Sequence, residues 1–336
     1  VKILHVTETY ATGVARALSG IVTAAPEHEH FLLYDGWERP AMDATFAGVM
    51  TLPAGGLRRV KAVRRALEST GAEVVHLHSS WAGVYGRVRR LDARVLYQPH
   101  CFVFEDLGRP YLHRKFYRLA ERVLGRNTDV MVAVSERERA LGQAVAPLAT
   151  TVLVPNRSDL ALVGSRPISA APRRAVVMCG EIRSQKDPTF FAAVARRVRA
   201  EGVNAELVWV GDGDPGQRKA LESSGVRVTG WLDADGLTEE LDGAAIYLHT
   251  ARYEGFPLSV LDAAARQVPL VVRTAAAYDG LGLDSFDTVP EAAMMVREYL
   301  AGCSTAALRN LERIRTQFDP ELVAPAVARL YRGENA

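Results

Sequence analysis

Short runs of branched apolar residues alternate with longer amphipathic stretches along this chain, and that alternation constrains the fold more than any other feature. KILHV is followed by a small-residue loop around Gly13 and the periodic segment RALSGIVTAA. Then come HFLLYDG, LRRVKAVRRALEST, AEVVHLHSS, GVYGRVRRL, RVLYQPH, a helical stretch from Tyr111 to Arg126, and DVMVAVS. Strands that alternate with helices predict a doubly wound parallel α/β sheet. After TVLVPNRSD, the segment VGSRPISAAPRR is rich in Pro, Ser and Ala and reads as a linker. The alternation then restarts with AVVMCGE, PTFFAAVARRVRAEG, AELVWVG, GQRKALESSG, VRVTGW, GLTEELDG, AAIYLHT, LSVLDAAARQ and PLVVRT. Two Rossmann-like lobes are therefore expected, one over residues 1–163 and one over 164–319. An amphipathic stretch at 320–336 is expected to be helical and to pack back on the first lobe. The length of 336 residues suits two domains of ordinary size.

Charge and cysteine usage narrow the function classes. Lys+Arg and Asp+Glu, 41 and 39, nearly cancel, which disfavours nucleic acid as a partner. The three cysteines, Cys101, Cys179 and Cys303, are widely spaced and form no CxxC, and VKILHVTE does not read as a signal peptide. A reducing, cytoplasmic setting is expected. No apolar run approaches the roughly 20 residues that cross a bilayer, so membrane contact is expected to be peripheral at most.

The segment from Ala251 to Val272 places Glu254 and Asp262 either side of a Gly-Phe-Pro turn and a short apolar helix, with a spacing that puts both acids on nearly one helical face. The preceding AAIYLHT reads as a strand, so the acids fall at a strand-to-helix turn, where open α/β sheets bind ligands. The helix N-terminus there favours an anion such as phosphate, and the acids favour hydroxyls. Gly211-Asp212-Gly213-Asp214-Pro215-Gly216 matches G-x-G-x-x-G, but it lies outside the first βαβ unit and carries a stiffening proline, so a tight turn is the better reading. Asp212/Asp214 and Asp233/Asp235 resemble metal clamps and equally resemble helix caps. His76 and His78 share one face of a strand and with a third ligand could hold zinc, a ligand that spacing does not supply. His100 ends a strand at the carboxyl edge of the first sheet. Arg183 and Lys186, three apart after a strand, are placed to close on one diphosphate or to stand as surface cations. Arg58, Arg59, Lys61, Arg64 and Arg65 make a basic amphipathic helix, joined by Arg87, Arg89, Arg90 and the cluster His113-Arg114-Lys115, suited to an anionic membrane surface or simply to water.

Taken in order, KILHV, VVHLHSSWAG, YQPH, DVMVAVSERE, VPN, GEIRSQKDP, WVGDGDPG, VTGW and YEGFPLSVLDAAARQVPLVV resemble the family 4 retaining glycosyltransferases of the GT-B fold over nearly the whole chain. HSSWAGVYGR and YQPHCFVFE look most like transferases of bacterial capsule and exopolysaccharide synthesis. The resemblance implies two lobes facing a central cleft, the first on the acceptor side and the second binding the donor. It implies a metal-independent hexosyl- or N-acetylhexosaminyl-transferase without a cofactor. The donor would be a nucleoside-diphosphate sugar, with UDP as the expected nucleotide, and the acceptor a glycan or polyprenyl-linked glycan. Glu254 would hold sugar hydroxyls, Asp262 the ribose, and the backbone from Phe256 through Pro257 and Leu258 to Ser259 the distal phosphate. Lys186 and Arg183 would neutralise the diphosphate with help from the amide of Gly13. His100, Glu254 and Lys186 would serve catalysis, and His78 and His100 the acceptor side. A silent binding or scaffold homologue and a nucleotide-sugar epimerase are the alternatives. Three positions depart from the family pattern: Glu181 replaces an arginine, Asp262 a glutamate, and Gln267 a glycine.

Overall fold

The computed structural model describes residues 1–36, 46–160, 173–318 and 320–333. The chain forms two compact units, Val1–Arg157 with Pro320–Ala336, and Ser158–Asp319. The expected linker at 163–174 and the expected boundary at 163/164 fall largely outside the described residues.

The first unit runs β1 (Lys2–Thr7), α1 (Thr12–Thr23), β2 (Glu29–Tyr34), β3 (Gly48–Thr51), α2 (Gly56–Thr70), β4 (Val74–His78), α3 (Ser80–Arg87), β5 (Arg94–Gln98), α4 (Tyr111–Leu124), β6 (Val130–Ala133), α5 (Glu136–Val145) and β7 (Thr150–Leu153). Its sheet is wholly parallel in the order β3-β2-β1-β4-β5-β6-β7. The second unit runs β8 (Ala175–Cys179), α6 (Pro188–Ala200), β9 (Glu206–Val210), α7 (Pro215–Ser223), β10 (Arg227–Val228), α8 (Ala234–Gly243), β11 (Ala244–His249), α9 (Leu258–Ala265), β12 (Leu270–Arg273), β13 (Ser285–Phe286), α10 (Val289–Leu300) and α11 (Ala306–Gln317). Its parallel sheet has the order β10-β9-β8-β11-β12-β13. A last helix, α12 (Pro320–Arg332), completes the first unit.

Strand alternation sorts the first core into two layers. Leu4, Val6, Val75, Leu77, Val95, Tyr97 and Met131 face one way, towards Val63, Leu67, Ala82 and Leu141 of the helices. Ile3, Val74, Leu96, Val130 and Val132 face the other, where Ile21 of α1 and Val323, Val327, Leu330 and Tyr331 of α12 cover them. The pattern puts His5, His30, His76 and His78 on the second face as well, and all four are buried. On the opposite face, Arg87 is fully buried, with its guanidinium 3.5 Å from the centroid of the Tyr97 ring and 2.8 Å from Glu121. That pair ties α3 and α4 to β5.

Both sheets reverse their strand order at one point, between β1 and β4 in the first unit and between β8 and β11 in the second. A crevice opens at such a switch point beyond the carboxyl ends of the strands. The loops there carry the chemistry.

Candidate active site

In the second unit, the loop after β8 is held by backbone. Ile182 N–H donates to Asp212 O at 2.8 Å, and Asp214 N–H donates to Ile182 O at 2.9 Å. A Cβ on Gly211 would lie 2.2 Å from Gly180 O, and its φ is +134°. The glycine motif thus serves close packing of two loops. The acidic pairs are accounted for similarly: Asp212 pairs with Arg218 at 2.6 Å, while Asp214 and Asp233 cap α7 and α8.

Asp187 caps α6 from a left-handed backbone conformation, φ 53°, and its buried carboxylate takes Arg252 at 2.7 Å and Arg273 at 2.8 Å. Thr250 Oγ1 donates to Lys186 O at 2.8 Å, and Arg252 N–H to Gln185 O at 2.9 Å. These bonds sew the loop after β8 to the loop after β11. Lys186 Nζ is thereby brought to 2.5 Å from Glu254 Oε1, with both side chains largely buried. Gln185 Nε2 donates to Glu254 Oε2 at 3.3 Å. His249 Nε2 stands 3.7 Å from Glu254 Oε1, beyond hydrogen-bond reach. Burial alone would raise the Glu254 pKa, but the Lys186 ammonium, assisted by His249, pulls it down to about 2. Burial lowers the His249 pKa, with Lys186 adding to the effect and Glu254 opposing it. Near neutral pH the site is a Lys⁺–Glu⁻ pair beside a neutral imidazole.

Glu254 lies in the loop before α9, so the expected shared helical face with Asp262 is not formed. Pro257 starts the helix three residues after Glu254, and no side chain caps it, so its first amides are orphan donors. Ser259 Oγ in that first turn is buried with no hydrogen-bond partner, as are His249 Nε2 and Tyr278 Oη. Among the described residues of the second unit, those three are the buried side-chain polar atoms so left, and all belong to this crevice. Phe256 stacks on Phe318 with ring centroids 4.1 Å apart and meets Tyr278 edge-on at 5.8 Å, fixing the turn. Asp262 is buried and accepts the Ser158 hydroxyl at 2.7 Å. Arg183 pairs with Glu181 at 3.4 Å and also bonds Gln185, so the departing acid has a cation beside it.

In the first unit, Gly13 lies exposed in the first turn of α1. Glu8, which the sequence reading passed over, caps α3 through Ser79 Oγ at 2.6 Å and Ala82 N–H at 2.8 Å. His100 follows β5 with φ 57° and is partly exposed. His78 is wholly buried, 3.1 Å behind His100, and so has no surface for an acceptor; that expectation is corrected, since only His100 reaches solvent. His5 joins His76 and His78 in a group whose ligand nitrogens lie within 4.8 Å of one another. This group has no carboxylate to offset a dication, and both nitrogens of His5 and of His78 already make hydrogen bonds.

Of the basic residues on α2, Arg59 is tied to Asp35 and to Pro53 O, and Arg64 to Arg90 O. A second surface lies on α4, where Leu112, Phe116, Leu119 and Val123 recur along one exposed stripe, Phe116 at 66% exposure. Lys115, Arg118 and Arg122 flank it. No helix among the described residues is long and apolar enough to cross a membrane.

Residues 6–157 match the family model described as "Glycosyl transferase 4-like domain", and residues 173–297 that described as "Glycosyl transferases group 1". An Escherichia coli UDP-Gal:alpha-D-GlcNAc-diphosphoundecaprenol alpha-1,3-galactosyltransferase is 23% identical over 248 residues, which span 66% of this chain and 63% of that enzyme, less than two thirds of its length. The sucrose-phosphate synthase of Thermosynechococcus elongatus superposes with a TM-score of 0.80 at 17% identity, over 99% of each chain. Anabaena HepE, solved with UDP and glucose, superposes at 0.79 with 16% identity, again over 99% of each. With two parallel α/β units of this strand order and family matches across most of both, the chain belongs to the family 4 glycosyltransferases and has the GT-B fold.

Proposed function

We propose that this glycosyltransferase moves a hexosyl or N-acetylhexosaminyl group from a UDP-sugar to a glycan or polyprenyl-linked acceptor, with retention at the anomeric carbon and without a metal. The observation that carries the reading is the convergence of three orphaned buried polar atoms, His249 Nε2, Ser259 Oγ and Tyr278 Oη, with the uncapped end of α9 and the Lys186–Glu254 pair. Buried polar groups are normally satisfied, so such a concentration marks a place completed by a polar ligand. The UDP-galactose donor and diphosphoundecaprenol-linked acceptor in the name of the Escherichia coli relative, and the UDP and glucose of the HepE structure, support the ligand class.

In this reading the distal phosphate sits on the first amides of α9 and on Ser259. Lys186 is shared between Glu254 and the diphosphate, and Arg183 reaches the same charge by leaving Glu181. Asp262 exchanges the Ser158 hydroxyl for a ribose hydroxyl, a donor of the same kind. Glu254, kept ionised, accepts hydroxyls of the transferred sugar. For the first unit, the reading gives the amide of Gly13 to the diphosphate and His100 to the sugar. The leaving phosphate oxygen takes the acceptor proton on the face it departs from, while fixed cations stabilise its growing charge. Residues 1–163 would then serve the acceptor and 164–319 the donor.

A lipid-linked acceptor requires access to a bilayer surface. The apolar stripe and flanking cations of α4 suit an anionic interface better than α2, whose Arg59 and Arg64 are engaged within the unit. The setting would be cytoplasmic and peripheral.

The test is release of UDP from purified protein offered UDP-galactose, UDP-glucose and UDP-N-acetylglucosamine, followed by the anomeric configuration of any product. UDP release with a retained anomer is expected. An inverted product refutes retention, conversion of the donor to its epimer points to an epimerase, and failure to bind any UDP-sugar defeats the reading.

A further inference from the structure

Four imidazoles in the first unit form one continuous hydrogen-bonded chain. His30 Nε2 lies 2.9 Å from Ala25 O, His30 Nδ1 lies 2.9 Å from His5 Nε2, His5 Nδ1 lies 3.0 Å from His78 Nε2, and His78 Nδ1 lies 3.1 Å from His100 Nε2. Successive rings are within 28° of parallel, with centroids 5.2, 5.3 and 5.3 Å apart. Each centroid separation exceeds its N···N distance by about two ring radii, so the bonds run in line along the ring planes.

The direction of this chain follows from its inner end. A carbonyl oxygen only accepts, so His30 Nε2 must carry the proton. In a neutral imidazole the other nitrogen then accepts, which obliges His5 Nε2 to donate to His30 Nδ1. The same step repeats at His78 and at His100. Burial holds all four imidazoles below their ordinary pKa, His100 at about 4, so they are neutral near pH 7. His100 Nδ1 has no hydrogen-bond partner among the described residues, and His100 is the one ring of the four that is partly exposed.

We propose that His30, His5 and His78 are positioning residues that lock His100 as its Nε2–H tautomer, so that it presents a bare Nδ1 lone pair taking a hydrogen bond from a ligand hydroxyl. Because the chain ends on a carbonyl, it sets a direction and gives a proton no exit to solvent. His100 therefore acts as a fixed acceptor that discriminates for hydroxyl-bearing ligands. The hydroxyl as a sugar's rests on the proposed function; the tautomer lock does not.

Long-range proton–nitrogen spectra of the full chain with ¹⁵N-labelled histidine read each tautomer directly. The wild type should show His30, His5, His78 and His100 as neutral Nε2–H tautomers at pH 7. His100 as the Nδ1–H form, or zinc ions shifting the His5, His76 and His78 resonances at one equivalent, overturns the proposal. His30→Phe removes the anchor three rings from His100 and should let an Nδ1–H population appear there. His30→Gln, whose amide can donate to Ala25 O and accept from His5, should restore the single tautomer. A folded His30→Phe chain with His100 unshifted also overturns the lock, and should that variant not fold, the wild-type spectrum decides. Turnover with UDP-sugar should fall several-fold in His30→Phe through kcat rather than KM. A shifted tautomer with unchanged turnover supports the lock while refuting the placement of His100 at the sugar.

Discussion

Removing Lys186 isolates a buried carboxylate, and the structure fixes what that should cost. At the 2.5 Å separation of Lys186 and Glu254, the gross attraction at an effective dielectric near 20 is about 7 kcal/mol. Desolvation of the ammonium cancels part of it, and breaking a buried pair from one side typically costs about 3–5 kcal/mol. The fall of the Glu254 pKa from 4.5 to about 2, against burial, corresponds to about 3 kcal/mol and agrees. Lys186→Met should therefore lower the unfolding free energy by about 3–4 kcal/mol at pH 7, read from urea denaturation with a probe in the second unit. The pH dependence tests the cause. In the wild type, a depressed Glu254 pKa gives stability that is present above the unfolded pKa of 4.5 and lost as pH falls towards 2. In the variant, the folded state must hold one more proton than the wild type, on Glu254 or on His249. The cost of the substitution should then shrink by up to about 1.4 kcal/mol per pH unit once that proton binds. Adding Glu254→Gln should recover most of the loss. A cost under about 1 kcal/mol, or one that grows on acidification, would refute the pairing.

Glu254→Gln should cut transfer by about 100-fold while UDP affinity changes little, whereas Asp262→Asn should weaken UDP and donor alike by about tenfold. Calorimetry beside turnover separates the two, and equal losses of UDP affinity would reject the division between sugar and ribose. Arg183→Ala should reduce donor affinity by about tenfold, and Glu181→Arg should raise it, because the charge beside the diphosphate changes sign; titration with UDP-sugar checks both. Gly211→Ala, whose new Cβ would lie 2.2 Å from Gly180 O, should destabilise the second unit by more than about 2 kcal/mol in thermal melts, and a neutral result would show that these loops separate freely.

The alternation of strands and helices was legible because it depends on local periodicity, and the loops after β8 and β11 were legible as turns at the carboxyl ends of strands. The shared helical face of Glu254 and Asp262 was misread because Pro257 starts the helix only after Glu254. His249 and Tyr278 could not be placed at the site, since their meeting depends on β11 lying between β8 and β12. The histidine chain was hidden for a similar reason: His76 and His78 share a face by spacing, but only the register pairing His5 with His76, and Ile3 with His30, adds the rest. On α4 only the helix was legible, and the exposure of Leu112, Phe116, Leu119 and Val123 along one stripe depends on the packing of the fold. The helices α5, α10 and α11 carried no expectation.

The burial of so many imidazoles also sets a proton inventory. His5, His30, His76, His78 and His100 are all held below 6.5 in the folded first unit, chiefly by burial, whereas an unfolded chain binds a proton on each as pH falls through that value. Each such group drains stability below pH 6.5 until its own folded pKa is reached, at up to about 1.4 kcal/mol per pH unit. Buried Glu138, its pKa pushed up to about 8 by burial, keeps in the folded unit a proton that an unfolded carboxylate releases above 4.5, so it offsets one of the five. The net slope is about 5 kcal/mol per unit, comparable to the whole stability of an ordinary domain. The first unit should accordingly unfold in a narrow, multi-proton transition between about pH 6 and 5, visible by circular dichroism, while the second unit, with His249 alone buried in this way, persists to lower pH. A shallow, single-proton transition would show that the imidazoles do not remain neutral together. The same packing that orients one nitrogen at the surface makes this half of the molecule acid-labile.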